Sequence, residues 1–333
     1  MWFEALTGFE EDNPDQVRKN ISVNGLILKS HINGEQFIVG RLETPSLAEL
    51  RNRIKNKVTP RGNISVREVV ANTQHLHSDK ENTNALFQVA SQFNLLEMVS
   101  PDVTPERGVD GYEYDLTQGP ACAISAGAGT IYRNYFAKVN GRTGQSTMNQ
   151  IDCLSDLGAA LGNSDNHLWE MRNGYALASE NGLIEITNKL KQASELDRDA
   201  LRQSLRIGLH WNTEVTISES RHLVSQAFCS ALPVAYSDCS PDLWAEFAQL
   251  VLEASYEATI CAGILNYFET GNNKIYLTLI GGGAFGNDIE WIINAIERAL
   301  GLYEHINLDV IIVSYHSSNK QVQNLVKLKH IKK

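Results

Sequence analysis

The unit that most restricts the fold of this chain runs from residue 275 to residue 315. Ile275-Tyr-Leu-Thr-Leu-Ile280 is a run of β-formers that passes straight into Gly281, Gly282 and Gly283, then Ala284, Phe285, Gly286 and Asn287. Asp288 to Leu300 follows with helical spacing, acids in its first turn and Arg298 in its last. Leu308-Asp-Val-Ile-Ile-Val-Ser-Tyr315 is almost wholly apolar, as expected of a strand covered on both faces. Such strands alternating with helices imply an α/β protein with a mixed or parallel sheet between helix layers. Asn287 is the expected helix N-cap. A glycine-rich turn at a helix start exposes backbone N–H groups, and the helix dipole adds to their attraction for an anion such as phosphate. The alternative at this point is a tight turn that binds nothing.

A chain of 333 residues and 37.0 kDa, 43% hydrophobic and 20% charged, has the composition of a globular protein with one large core or two smaller ones. A net charge of −10 and a pI near 5.4 speak against nucleic acid or an anionic membrane as the main partner. The first residues lack the basic and apolar runs of a signal peptide, and no uncharged apolar stretch is long enough to span a bilayer. Cys122, Cys153, Cys229, Cys239 and Cys261 are scattered without a C-x-x-C pair, which suits a reducing cytoplasm. Lys327 to Lys333 is expected to be a solvated tail.

Residues 1–25 are polar and acidic and are expected to be loosely ordered. Leu26 to Arg41 predicts a β-hairpin turning at Asn33-Gly34, and Pro45 to Ile54 a helix. The polar break Lys57–Gly62 is the expected boundary between a hairpin-and-helix extension (1–60) and the main domain (61–333). Strands are expected at Ile64–Thr73, Ala85–Asn94, Leu168–Asn173 and Arg206–Thr216. Gln226–Pro233 is expected to be an edge or terminal segment. Long helices are expected at Pro120–Phe136 and Asp242–Tyr267.

Between them, Ser100–Pro120 carries five carboxylates and an arginine in an irregular stretch of a kind that is usually functional or disordered. Asp102, Glu106, Asp110 and Asp115 are candidates to activate water or orient a ribose, against the alternative of a solvated acidic loop. Gln118 and Gly119 open the following helix, where free N–H groups can hold a second phosphate. Glu214, among apolar neighbours in a strand, is either an acid–base group with a raised pKa or the partner of an arginine. Arg133, near a helix end beside Asn134, either contacts phosphate or caps the helix. His75 and His77 are expected on one strand face without a third ligand, so no metal site is assigned. Cys122 lies in a helix first turn but has no assignable histidine partner. Neither a G-x-S-x-G elbow nor a Walker lysine is present.

The strand, the turn Gly281–Asn287, the helix and the apolar strand together resemble the final third of macrodomains. They are most similar to the poly(ADP-ribose)-glycohydrolase-like branch. The strand ending in Asn94, the acidic loop and the helix from Gly119-Pro120 fit the same outline. One departure matters: the branch's glycine-rich catalytic loop with paired glutamates is absent, and Val99–Gln118 stands in its place. This resembles a divergent group of macrodomain hydrolases that includes enzymes acting on arginine-linked ADP-ribose. The resemblance implies a three-layer α/β/α fold with a mixed central sheet from about residue 61. It implies ADP-ribose contacts at Gly281, Gly282, Gly283, Phe285, Gly286 and Asn287, with Asn94 as a ribose contact; Ala284, Gln118, Gly119 and Arg133 are further candidate contacts. Asp102, Asp110, Asp115 and Glu214 are the catalytic candidates. The expected function is hydrolytic removal of ADP-ribose from protein side chains, with no cofactor or metal and with ADP-ribose or an ADP-ribosylated protein as partner. The alternatives are an ADP-ribose reader without activity and a phosphoesterase on a small ADP-ribose derivative.

Overall fold

The computed structural model describes residues 1–55, 57 and 62–331, without the side chains of residues 330 and 331. The amino-terminal part comprises α1 (Trp2–Thr7), α2 (Pro14–Asn20), β1 (Ile21–Asn24), β2 (Ile27–Ser30), β3 (Gln36–Ile38), β4 (Arg41–Glu43) and α3 (Leu47–Lys55). Then come β5 (Ser65–Val70), α4 (Thr73–Ser78), β6 (Leu86–Ala90), α5 (Gln118–Ser125), α6 (Gly127–Tyr135), and the short pair β7 (Lys138–Val139) and β8 (Arg142–Thr143). The middle holds α7 (Ser155–Leu161), β9 (Trp169–Arg172), β10 (Tyr175–Ala178), α8 (Glu180–Gln192), α9 (Glu195–Ser204), β11 (Gly208–Glu214) and β12 (Leu223–Cys229). The last units are α10 (Pro241–Thr270), β13 (Lys274–Leu277), α11 (Ile289–Leu302), β14 (Asp309–Ser314) and α12 (Lys320–Ile331).

Seven strands form the central sheet in the order β4-β11-β12-β6-β13-β14-β5. The run from β12 to β5 is parallel, and β11 lies antiparallel to both of its neighbours. Alternate side chains of β6 serve opposite helix layers: Gln88 bonds Thr259 of α10, while Phe87 stacks on His77 of α4. α10 packs with α3, α8, α9 and α11 on one side of the sheet; α4, α5 and α6 lie on the other. The expected α/β/α sandwich with a mixed sheet is therefore the observed architecture. α10 is apolar nearly all round because its middle turns, from Leu250 to Leu252 and Ala254 to Asn266, are enclosed between the sheet and neighbouring helices.

Several local expectations are corrected. Residues 1–25 are ordered, because Phe3, Val17 and Ile21 are buried against Ile131 and Tyr135 of α6, and Asn13 caps α2 by accepting from Gln16 N. The β2–β3 hairpin forms as expected, with β1 added to its side. The helix expected over Pro120–Phe136 is two, broken at Ala126 (φ −117, ψ 59), where Gly127 N donates to the Thr216 hydroxyl instead. His75 and His77 lie on α4, not on a strand, because Asn72 caps a helix there. Gln226–Cys229 belongs to an interior strand, since β6 pairs along the flank expected to be free. Asp288, one residue beyond Asn287, caps α11. The carboxyl-terminal lysines up to Ile331 extend a helix rather than a tail. The expected boundary at Lys57–Gly62 falls largely outside the described residues, and β4 and α3 before it are built into the central sheet and the α10 layer.

Candidate functional site

Parallel strands β6, β13 and β14 all end at one edge of the sheet, and the chain leaving each of them walls a single cleft of about 750 Å³. This is where an open α/β sheet places a ligand. After β6 come Ser91, Gln92 and the turn to Glu97; after β13 comes the glycine turn; after β14 comes Tyr315. Asp115, Gln118 and Gly119, leading into α5, complete the wall. The two turns expected to hold phosphate thus face the same space.

Their backbones suit an anion. In the glycine turn, Gly282 N bonds Leu279 O and Asn287 N bonds Gly281 O, which closes the loop on itself. The amides of Gly281, Gly283, Ala284 and Phe285 donate to no acceptor among the described residues. Gly281 needs its left-handed φ of +77, and a Cβ there would lie 2.4 Å from that of Ala231. At the α5 start, Thr117 supplies no side-chain cap, so the first amides remain available. A Cβ at Gly119 would lie 2.3 Å from Ala90 O and 2.5 Å from Glu97 Oε2, so only glycine lets α5 approach the loop this closely. Gln118 Oε1 accepts from the Thr278 hydroxyl at 2.6 Å, while its Nε2 is buried without a partner among the described residues. At the far side, Tyr175, Tyr236 and Phe285 form a cluster with ring centroids 5.2–5.6 Å apart.

Of the expected site residues, Asp115, Gln118, Gly119, Gly281, Gly282, Gly283, Ala284 and Phe285 line the cleft. The others lie elsewhere. Asn287 braces the turn from behind by donating to Leu232 O at 2.8 Å, and Gly286 packs on Ala235. Asn94 is fully buried and ties down its own loop, donating to Gln150 Oε1 and accepting from Leu96 N. Asp102 is exposed and paired with Arg172. Asp110 opens a 3-10 turn away from the cleft wall. Glu106 is held by the amide and hydroxyl of Thr147. Glu214 bonds Ile38 N at 2.7 Å and pairs with Arg221, so the arginine-partner alternative is the one realised. Arg133 contacts no open space: it is 1% exposed, lies over the Phe228 ring at 3.8 Å and donates to Leu95 O and the Thr130 hydroxyl. Cys122 is buried, and burial pushes its thiol up to about 12. Among the described residues no group of three or more His, Cys, Asp or Glu is arranged to hold a metal.

The residue missed from sequence is Glu97. It is 5% exposed, lines the cleft, and its Oε1 has no hydrogen-bond partner among the described residues. Burial pushes its carboxyl well above the ordinary range; Arg133 pulls it down and Asp115 pushes it further up. Its position depends on a tight turn in which Leu95 adopts φ +66, costly for a branched side chain, with Arg133 Nε on its carbonyl at 3.2 Å. Gln92 and Tyr112 fix the exit: Met98 N donates to Gln92 Oε1 at 2.7 Å and Glu97 N to the Tyr112 hydroxyl at 2.9 Å. Among the described residues that line the cleft, Glu97 and Asp115 are the acidic side chains and there is no cation.

No family model and no curated protein matches the chain. Among solved structures it is similar to poly(ADP-ribose) glycohydrolase from Deinococcus radiodurans in complex with ADP-ribose, at 11% identity and a TM-score of 0.44 over 88% of this chain and 94% of that one. It is also similar to poly(ADP-ribose) glycohydrolase from Thermomonospora curvata, at 10% identity and a TM-score of 0.45 over 95% of each chain. The same Thermomonospora protein bound to the inhibitor ADP-HPD gives 10% identity and a TM-score of 0.43. Similarity this low carries no argument about activity.

Proposed function

We propose that this chain is a macrodomain-like hydrolase that removes ADP-ribose from modified protein side chains, with arginine as the acceptor. The observation that carries the proposal is Glu97, a buried carboxyl whose Oε1 has no hydrogen-bond partner among the described residues, facing the same cleft as two turns with free backbone amides. The amides of Gly283 to Phe285 and of the α5 start would take the diphosphate, and the aromatic cluster would cover a sugar. A raised pKa favours the protonated carboxyl, which can give its proton to a leaving group. Glu97 would protonate the leaving nitrogen as its bond to the anomeric carbon breaks. Water adds to that carbon, and Asp115 takes the proton that water loses. Acidic side chains with no cation among the described lining residues suit a cationic guanidinium better than an anionic acceptor.

In this account residues 61–333 carry the ADP-ribose-binding site, and residues 1–60 are an extension that supplies the edge strand β4 and helix α3 and braces the rest. The five cysteines are free thiols, which fits a cytoplasmic setting. Among the described residues no helix is long and apolar enough to cross a membrane. Calorimetry with ADP-ribose, followed by incubation with arginine-, glutamate- and serine-linked ADP-ribosyl proteins, tests the proposal. Binding with release from arginine supports it, binding without release leaves a reader, and no binding of ADP-ribose defeats it.

A further inference from the structure

We propose that Glu11 is a positioning residue for Glu97, acting through Tyr112, so that the amino-terminal extension forms part of the working cleft. This rests on the role given to Glu97 above. Glu11 reaches across to the irregular segment before α5 and accepts three hydrogen bonds there. Oε2 takes Val109 N at 2.7 Å and Asp110 N at 2.6 Å, and Oε1 takes the Tyr135 hydroxyl at 2.7 Å. The segment packs tightly on that carboxylate, since a Cβ at Gly108 would lie 2.4 Å from Glu11 Oε2. Trp2 adds a second tie, its indole N–H lying 3.2 Å from both Val109 O and Asp110 O, and its backbone N–H donates to Glu113 Oε2 at 3.0 Å.

These contacts hold both ends of the 3-10 turn Asp110–Tyr114. Tyr112 in that turn is 4% exposed, and its hydroxyl is the acceptor for Glu97 N. A continuous path of hydrogen-bonded groups therefore runs from Glu11 through the turn to the backbone of the cleft carboxyl. Without it, a long acidic loop would be free to move, and Glu97 N would lose its buried acceptor. Glu11 is also separable from simple packing, because Phe3, Val17 and Leu28 bury the extension independently. Glutamine can satisfy the same three partners, with Oε1 accepting both amides and Nε2 donating to the Tyr135 oxygen; alanine cannot.

The test uses the full chain with Glu11→Ala, Glu11→Gln and Tyr112→Phe, and Val17→Ala as a control that loosens the same extension without touching the path. Amide exchange at Glu97 and residues 109–119 is read alongside calorimetry with ADP-ribose and single-turnover release from an arginine-linked ADP-ribosyl protein. Glu11→Ala and Tyr112→Phe are expected to speed exchange at Glu97 and to slow release about tenfold or more, with ADP-ribose affinity little changed. Glu11→Gln should restore both, and Val17→Ala should lower the melting temperature while sparing both per folded molecule. Unchanged exchange at Glu97 in Glu11→Ala overturns the inference, as does an equal loss of release in Val17→Ala. Wild-type protein that releases nothing would defeat the proposed activity, and the exchange data would still decide whether Glu11 holds Glu97.

Discussion

Two buried glutamates on opposite sides of the sheet show how differently one side chain can be used. Glu257 of α10 is 1% exposed and Glu97 is 5% exposed. Glu257 is surrounded by donors: Arg51 bonds it twice, at 2.6 and 2.8 Å, Arg298 at 2.7 Å, and the Tyr303 hydroxyl at 3.3 Å. Asp199 accepts both Arg51 NH groups and extends the network to α9. Burial opposes ionisation of Glu257, but the bonds from Arg51 and Arg298 outweigh it and hold the carboxyl below its ordinary value. Glu97 has the same burial without that ring of donors, and its pKa moves the other way. Burial alone therefore says little; what the carboxyl is bonded to separates a strut from an acid.

The largest expected effect breaks the comparison on the functional side. Glu97→Gln should slow release of ADP-ribose about 10³-fold, the scale of general acid–base catalysis, while the thermal unfolding midpoint stays level or rises. Glu257→Gln should do the reverse. Removing one partner of a buried ion network costs on the order of 3 kcal/mol, read as a lower denaturant midpoint, with turnover per folded molecule unchanged. If either variant moved both quantities together, the division between strut and acid would fail.

The pH dependence of stability sharpens the same contrast. A carboxyl whose folded pKa is raised supports the fold fully below the ordinary value of 4.5, and that support drains away as pH rises towards the folded value. Glu257, shifted down, contributes support that is present above 4.5 and lost as pH falls through its folded value. Denaturant midpoints measured across pH should therefore show a flatter neutral limb in Glu97→Gln and a flatter acid limb in Glu257→Gln. Glu11 belongs with Glu97: burial raises it from 4.5 to about 7, so Glu11→Gln should flatten the decline between those pH values. The smallest contrast lies between two glycines of the cleft. Gly119→Ala drives a Cβ into Ala90 O and should weaken ADP-ribose binding about tenfold or more by calorimetry. Gly283→Ala enters open space, with no atom within 4 Å of its Cβ, and should cost only a few-fold.

The framework of the cleft was legible because it rests on local pattern. The apolar strands, the glycine turn and the long α10 each announce themselves within a few residues, and together they define the sheet edge. Glu97 was not legible for a reason that Glu214 makes plain. Both are single carboxylates among apolar neighbours, and the same rule drew attention to Glu214. What separates them is the presence of Arg221 beside one and the left-handed turn at Leu95, braced by Arg133, behind the other. The braces on that turn are distant in sequence, since Arg133 bonds Leu95 O and Tyr112 bonds Glu97 N from later segments. The order of the first 25 residues was hidden likewise, because Phe3 and Val17 acquire meaning only against α6.

The most direct test of the central claim is a crystal structure of the Glu97→Gln protein soaked with ADP-ribose. Diphosphate oxygens are expected on the amides between Gly283 and Phe285 and at the start of α5, with the distal anomeric carbon facing residue 97 and Asp115. ADP-ribose bound away from these turns, or with its anomeric carbon turned from residue 97, would contradict it.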